Sequence, residues 1–145
     1  MEVKVKKLTK TAKLPVYASE NAAAADLCSA EEESVTLRPG ETRLLHTGLA
    51  LEIPAGYAGF IYARSGLASK RGLAPANKVG VIDADYRGEV LVALHNHGTE
   101  DARVEPGERI AQLVVAETPR FSFVEAKELS DTVRGAGGFG STGRR

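Results

Sequence analysis

Hydrophobic positions along this chain come in short alternating runs cut by turn residues. Leu49, Leu51 and Ile53 share one face of a period-two pattern, as do Val90, Val92 and Leu94. Ile110-Ala-Gln-Leu-Val-Val115 reads as a buried strand interrupted by one polar residue. Pro39-Gly40, Pro54-Ala-Gly56, Gly59, Gly66, Gly72, Gly80, Gly88, Gly98 and Pro106-Gly107 break nearly everything between them into short pieces. Short strands at this spacing predict an antiparallel sandwich or barrel. Arg38-Pro-Gly-Glu41 and Glu105-Pro-Gly-Glu108 are similar turns, each leading into a strand, and read as hairpin chemistry used twice. The best helical run is Gly66 to Arg71, one or two turns with basic residues at its C-terminal end. No linker or low-complexity stretch occurs before residue 134. The pattern predicts one all-β domain over residues 1–133, followed by a C-terminal arm, 134–145.

Composition narrows the setting. A chain of 145 residues with 43% hydrophobic and 26% charged residues is long enough for one domain with a sizeable core. Lys+Arg and Asp+Glu number 19 each, so bulk charge makes no case for nucleic-acid or membrane binding, and any anion site must come from locally placed arginines. Cys28 is the single cysteine, which excludes an internal disulfide and points to a reducing compartment. The segment Met1-Glu-Val-Lys-Val-Lys-Lys7 lacks a signal-peptide core, and no run approaches the ~20 apolar residues of a membrane span. The expectation is a soluble, cytoplasmic protein.

The last twelve residues carry the most information. They read Arg134-Gly-Ala-Gly-Gly138-Phe139-Gly140-Ser141-Thr142-Gly-Arg-Arg145, and five are glycine, which makes a poor strand or helix. Glycine lets backbone N–H groups converge on an anion, Ser141 and Thr142 add donors, and Arg134 adds a permanent forked charge. Phe139 could lie flat on a nucleobase. One reading is an arm that orders over a nucleotide's phosphates; the other is a frayed tail. Gly135, Gly137 and Gly140 spell G-x-G-x-x-G, but the dinucleotide fingerprint needs a following helix, and the chain stops five residues later. A P-loop fails for the same reason and lacks its lysine.

Other segments are open to two readings each. Arg64-Ser65-Gly66 follows the apolar run Phe60–Ala63 and opens the short helix, with Ser65 where an N-cap would stand. It reads as an anion site at a helix N-terminus or as a plain cap with a surface arginine. Asp83 follows Val81-Ile82 at a strand end, where partial burial would raise its pKa and suit a general base; Asp85 and Glu89 look more solvated. Tyr86 could present a ring face to a ligand, or the whole segment is an ordinary acidic hairpin loop. Arg109 and Gln112 lie on opposite faces of an ideal strand, and Gln112 needs a partner, ligand or backbone. Asp26 follows the small-residue run Ala23-Ala-Ala25 and meets phosphates only through a divalent cation, unless it serves a turn. His95-Asn96-His97 places two imidazoles on one strand face, but its spacing departs from the cupin metal motif and a turn reading is preferred.

Together these segments resemble the deoxyuridine triphosphatases, the homotrimeric dUTPase family. Ala23-Ala-Ala-Asp26-Leu27 is similar to the first family motif and Arg64-Ser65-Gly66-Leu67-Ala68 to the second. Gly80-Val81-Ile82-Asp83-Ala-Asp-Tyr86-Arg-Gly88-Glu89 is similar to the third, Gly107-Glu-Arg109-Ile-Ala-Gln112-Leu113 to the fourth, and Arg134 to Gly143 to the fifth. The resemblance covers nearly the whole chain. It implies a distorted β-barrel or jelly-roll-like fold with one short helix and a flexible glycine-rich arm.

The resemblance also implies a reaction and a set of roles. Asp83 would activate the water that attacks the α-phosphorus of dUTP, giving dUMP for thymidylate synthesis, releasing pyrophosphate with Mg²⁺, and keeping uracil out of DNA. Ser65 and Gln112 would hold phosphate oxygens, with Arg64, Gly66 and Arg109 nearby. Asn77, Gly80 and the neighbouring backbone of Val81 and Ile82 would read the uracil edge, and Tyr86 would stack under the deoxyribose and exclude a 2′-hydroxyl. Phe139 would cover the uracil, while Arg134, Gly138, Gly140, Ser141 and Thr142 belong to the arm that closes over the γ-phosphate. Asp26 would orient a Mg²⁺-bound water. Each site would combine segments of three subunits. One departure is visible: Ala24 stands at the first motif's usual glycine, and a positive φ there would strain it by roughly 1 kcal/mol. Alternatives are the related dCTP deaminase, which lacks the fifth motif and needs a glutamate acid/base, and a nucleotide-sensing interaction protein on the same fold.

Overall fold

The computed structural model describes residues 1–138. Among them the chain forms eleven strands and one helix: β1 (Lys4–Lys7), β2 (Val16–Tyr17), β3 (Ala25–Cys28), β4 (Val35–Leu37), β5 (Thr42–Glu52), β6 (Tyr57–Tyr62), α1 (Ser65–Arg71), β7 (Leu73–Pro75), β8 (Gly80–Ile82), β9 (Glu89–Asn96), β10 (Ala102–Val104) and β11 (Arg109–Glu117). One sheet runs β1-β5-β9-β7, a second runs β2-β3-β11-β6-β8, and β4 pairs only with β10. Every pairing is antiparallel. This is the mostly-β, jelly-roll-like architecture that the spacing of turns and short strands predicts, with one short helix.

Alternation along each strand supplies the core. In β9, Val90, Val92 and Leu94 point inward, and Asn96 follows on the same face. Leu45, Leu49, Leu51 and Ile53 on or just after β5 meet Leu27, Ile61, Ile82, Ile110 and Leu113 of the opposite sheet in one cluster. Buried Asn96 is fully satisfied. Its Nδ2 donates to Leu37 O at 2.9 Å and Glu100 O at 2.8 Å, and its Oδ1 accepts the Gly98 N–H at 2.9 Å. An unpaired amide here would cost about 1–3 kcal/mol, so Asn96 holds the β9 end against β4. His95-Asn96-His97 is thus a structural strand end.

The two Pro-Gly turns are alike but are not hairpins. Glu41 N–H donates to Arg38 O at 3.0 Å and Glu108 N–H to Glu105 O at 3.1 Å. Each glutamate side chain returns to the first backbone N–H of its turn, at 2.8 and 2.9 Å. Gly40 and Gly107 take φ of +77° and +72°, a conformation glycine alone adopts without strain. The strands they join lie in different sheets: β4 and β10 pair with each other, then lead into β5 and β11 respectively. A turn's chemistry sets its local bend, whereas strand partners follow from which faces must be buried.

Beyond β11 the chain leaves the sheets. Phe121, Phe123, Val124, Leu129 and Val133 are all largely exposed. The stretch Val124–Leu129, which has ordinary core composition, therefore contributes nothing to this protomer's core.

At the start of β9, His46 Nδ1 lies 2.9 Å from Glu89 Oε2. The hydrogen bond that the imidazole donates to Glu89 is the main cause that holds its pKa above the usual 6.5. A raised folded-state pKa contributes stability that is full below about pH 6.5 and is lost as pH rises through the folded value. The wild type should therefore melt above His46→Gln at pH 5.5–6 in low salt, and the gap should close above pH 8. Thermal melts of the two proteins across that range check the sign.

Candidate functional site

Two groups of predicted residues form separate clusters. The first is built on β8 and the loops that join it to β7 and β9. Those two strands pair with each other in the opposite sheet, so the acidic segment 83–88 is a crossover loop and not a hairpin. Asn77, Gly80, Val81, Ile82, Asp83 and Tyr86 line one cavity of about 250 Å³, floored by β9. Asn77 lies in the β7–β8 turn, where Lys78 has φ +65° and Val79 N–H bonds to Asn77 O at 2.7 Å. Lys78 is the one described non-glycine residue with positive φ, so this tight turn is strained. A Cβ on Gly80 would stand 3.2 Å from Ile61 Cβ and 3.3 Å from Asn77 Nδ2, so its backbone lies close against both. The Ile82 side chain is buried in the core, leaving only its backbone for a ligand, and Val81 is exposed.

Asp83 directly follows β8, as expected at a strand end. It is exposed, however, so one protomer does not supply the burial expected around this carboxylate. The Tyr86 hydroxyl donates to Glu89 O at 2.9 Å, and its ring lies across Gly88, where a Cβ would meet Tyr86 Cζ at 2.6 Å. Glu89, read from sequence as solvated, is largely covered, with its side chain 23% exposed. It accepts the Gly48 N–H at 2.8 Å. Its partners lie 41 and 43 positions earlier in the chain, so no local signal marks it.

The second cluster centres on Asp26. Arg64 Nε meets Asp26 Oδ1 at 2.7 Å, and Arg109 Nη1 meets Oδ2 at 3.0 Å. Asp26 stands opposite Gln112 in the β3–β11 ladder, and Gln112 stands opposite Tyr62 on β6. Gln112 Nε2 donates to Ala63 O at 2.8 Å, so backbone supplies its partner. A bulge brings Arg109 to this face. The β3–β11 register shifts between Arg109 and Ala111, and Ile110 and Ala111 are both fully buried. One extra residue turns the opposite-face expectation for Arg109 and Gln112 into a same-face arrangement.

Arg64, not Ser65, is the N-cap of α1; its guanidinium has no acceptor for a cap bond, and it pairs with Asp26 instead. Ser65 is the first helical residue and is exposed; Ser69 Oγ donates to its carbonyl at 2.7 Å. Gly66 is exposed, with open space where a Cβ would project. At the other end of α1, Arg71 pairs with Glu108 and donates to Arg103 O, which fixes the helix against the β10–β11 turn. Ala24 has no positive φ, so replacing the motif glycine leaves no strain there. Cys28 is half-buried, and burial pushes its thiol pKa up.

From the arm, Arg134 is exposed and donates only to nearby Gly137 O, at 2.9 Å, and Gly138 is partly covered. Phe139, Gly140, Ser141 and Thr142 lie outside the described residues.

The first cluster runs along β6. Gly80 pairs with Ile61, next to Tyr62 opposite Gln112, whereas Asp83 follows Ile82, the partner of Gly59, toward the other end of the strand. At strand rise, Tyr62 lies about 10 Å and Arg64 about 16 Å beyond Gly59.

Among the described residues no three His, Cys, Asp or Glu side chains converge as a metal site. Asp26 is the carboxylate of the second cluster. Each of its oxygens has one arginine partner and so keeps a second lone pair. That suits a hydrogen bond from a metal-bound water, in keeping with the habit of Mg²⁺ of retaining waters and binding through phosphate oxygens.

A match to the dUTPase family spans residues 10–143. The chain belongs to the dUTPase family. It is 50% identical over 144 residues to the deoxyuridine 5′-triphosphate nucleotidohydrolase of Nautilia profundicola, covering 99% of this chain and 100% of that one. It is 53% identical over 135 residues to the enzyme of the same name from Desulfitobacterium hafniense, covering 92% and 89%. Among solved structures, the dUTPase of Staphylococcus bacteriophage 80alpha with dUPNHPP superposes with a TM-score of 0.91 at 32% identity, covering 98% of both chains. The matched family region includes both clusters and most of the arm.

Asp26→Asn removes the charge between two guanidinium groups and should cost about 1–3 kcal/mol of stability. Arg109→Ala should then cost less in that background than in wild type, because the two changes break one interaction. Urea unfolding of the single and double variants measures both.

Proposed function

We propose that the chain hydrolyses dUTP to dUMP and pyrophosphate as a cytoplasmic homotrimer whose sites are shared between subunits. The single observation behind this reading is the cavity that gathers Asn77, Gly80, Asp83 and Tyr86. The backbone at Gly80 and the Asn77 amide offer donors and acceptors for the uracil edge. A base that mismatches them leaves buried groups unpaired, which can discriminate by ~10⁴ or more. The Tyr86 ring lies under the sugar and leaves no room for a 2′-hydroxyl.

The separation along β6 supports the oligomer. Asp83 and the Arg64–Gln112 cluster must act on the same triphosphate, yet one chain sets them toward opposite ends of β6, on the order of 10–20 Å apart. A neighbouring copy that brings its phosphate cluster to this cavity removes the conflict. It would also cover Asp83, making it a stronger base, and give the exposed run of Phe121 to Val133 something to lie against.

Asp83 takes a proton from a water as that water's oxygen attacks the α-phosphorus. The bond from phosphorus to the bridging oxygen breaks, and pyrophosphate leaves. Ser65, Gly66 and Gln112 position phosphate oxygens, and Arg64 and Arg109 supply charge. Mg²⁺, when bound to the triphosphate, neutralises its oxygens, and Asp26 would hold it through a water. Arg134, Ser141 and Thr142 act on the γ-phosphate, Phe139 covers the uracil, and Gly138 and Gly140 let the arm's backbone approach. Positioning and charge neutralisation carry most of phosphoryl-transfer catalysis, and these residues supply both.

Pyrophosphate release should occur from dUTP, far exceed that from dTTP, dCTP and UTP, and stop in EDTA. Asp83→Ala should lose about 10²–10⁴ in rate while still binding dUTP. Ammonia release from dCTP, or wild-type turnover by Asp83→Ala, would contradict the reading.

A chain ending at residue 133 should keep its oligomeric mass and melting temperature and hydrolyse dUTP very poorly. The described core makes no use of residues 134–138, which supports intact folding. Sizing by light scattering, thermal melting and pyrophosphate release together separate a catalytic arm from a structural one. Unchanged turnover would make the arm a mere tail.

A further inference from the structure

Glu89 faces two ways. Its backbone carbonyl accepts the Tyr86 hydroxyl at 2.9 Å. Its carboxylate crosses to β5, where Oε1 accepts the Gly48 N–H at 2.8 Å and Oε2 meets His46 Nδ1 at 2.9 Å. This stretch of β5 is irregular. His46 pairs with Leu91, but the next partners are Ala50 and Glu89, so the residues between them bulge. Gly48 takes φ +65° there, and the regular ladder cannot satisfy its N–H. The bulge is rigidly seated. A Cβ on Gly48 would stand 2.8 Å from Ala12 Cβ, Leu8 N–H donates to Gly48 O at 2.7 Å, and Thr47 Oγ1 donates to Val90 O at 2.6 Å.

By contrast, the loop carrying Tyr86 is held mainly within itself. Arg87 donates to Ala84 O and Tyr86 O, and Tyr86 N–H to Asp83 O, all inside the β8–β9 loop. Among the described side chains of this loop, Glu89 is the one that hydrogen-bonds to a rigid part of the neighbouring strand. Its carboxylate holds the very residue whose carbonyl seats the Tyr86 hydroxyl.

We propose that Glu89 is a positioning residue for Tyr86, and that its clamp on Gly48 and His46 sets how strictly the site rejects a ribonucleotide. The proposal rests on reading the cavity beside the β8–β9 loop as the nucleotide site. Rejecting an added hydroxyl by bulk requires a wall that does not yield. Tyr86 is 45% exposed in the protomer, so its firmness depends on what it is tied to. His46 contributes charge. It faces Glu89 on β9 and Glu31 on the β3–β4 connection, and Glu31 also accepts the His46 N–H at 2.9 Å. On the β1 side the ladder places Lys7 opposite Leu49.

The test is kcat/KM for dUTP and for UTP, measured by pyrophosphate release on the full-length enzyme. Glu89→Ala should lower the dUTP:UTP preference about tenfold, a differential effect that general destabilisation does not produce. Glu89→Gln keeps an acceptor for Gly48 and should retain part of the preference, and it serves if the alanine variant does not fold. Tyr86→Phe should lower the preference by a similar factor, with little further loss on adding Glu89→Ala. In wild type the preference should fall as pH rises through the His46 transition, and His46→Gln should flatten that dependence. Equal losses for both substrates in Glu89→Ala, or multiplying losses in the double variant, would overturn the proposal. A wild type that releases no pyrophosphate from dUTP would overturn the functional reading beneath it instead.

Discussion

The register of β6 is the constraint on which the site depends. This strand is hydrogen-bonded on both edges, to β11 on one side and β8 on the other. Its far end delivers Ala63, Arg64 and the start of α1 beside Gln112 and Asp26. Its near end faces the turn that carries Asp83. Because both edges are paired and one face is buried, β6 cannot slip by one residue without turning its core side chains to solvent. The spacing between Asp83 and the Asp26 cluster is therefore set by the backbone.

Charge in this protein works by placement. The chain is neutral overall, yet Arg64 and Arg109 converge on one half-buried carboxylate. Asp26 lets the two guanidinium groups stand close together by offsetting their repulsion, and it uses only part of their hydrogen-bonding capacity. Under the proposed function, a triphosphate would meet arginines already oriented there, which spares part of the ordering cost that free side chains would incur. The β-bulge at Ile110 belongs to the same device, since without it Arg109 would point away.

Much was legible along the chain because it is written locally. The alternation of Val90, Val92 and Leu94 reports one buried face, the Pro-Gly turns report their own bends, and Gly66–Arg71 reports a helix that the structure starts one residue earlier. The motif segments are contiguous, so they identify the family and mark Asn77, Gly80, Asp83 and Tyr86, which the structure brings into one cavity. Less legible was anything that depends on a partner distant in sequence. Ser65 looked like the cap because it carries a hydroxyl acceptor, and that Arg64 pairs with Asp26, 38 residues earlier, left no local trace. Glu89 looked solvated because Gly48 and His46 lie on another strand.

The sequence by itself determined the class of fold, the approximate elements and the family, because period-two burial, turn chemistry and contiguous motifs are properties of neighbours along the chain. Only the tertiary structure decided that β4 pairs with β10 and not across its own turn, that Arg109 and Gln112 share a face, and that Asp83 stands toward the end of β6 away from the Asp26 cluster. It also decided that Ala24 bears no strain and that Val124–Leu129 stays outside the protomer's core. The physical reason is the same in each case. Register, bulges and burial come from closing two sheets over one core, and that closure couples residues tens of positions apart that no local pattern connects.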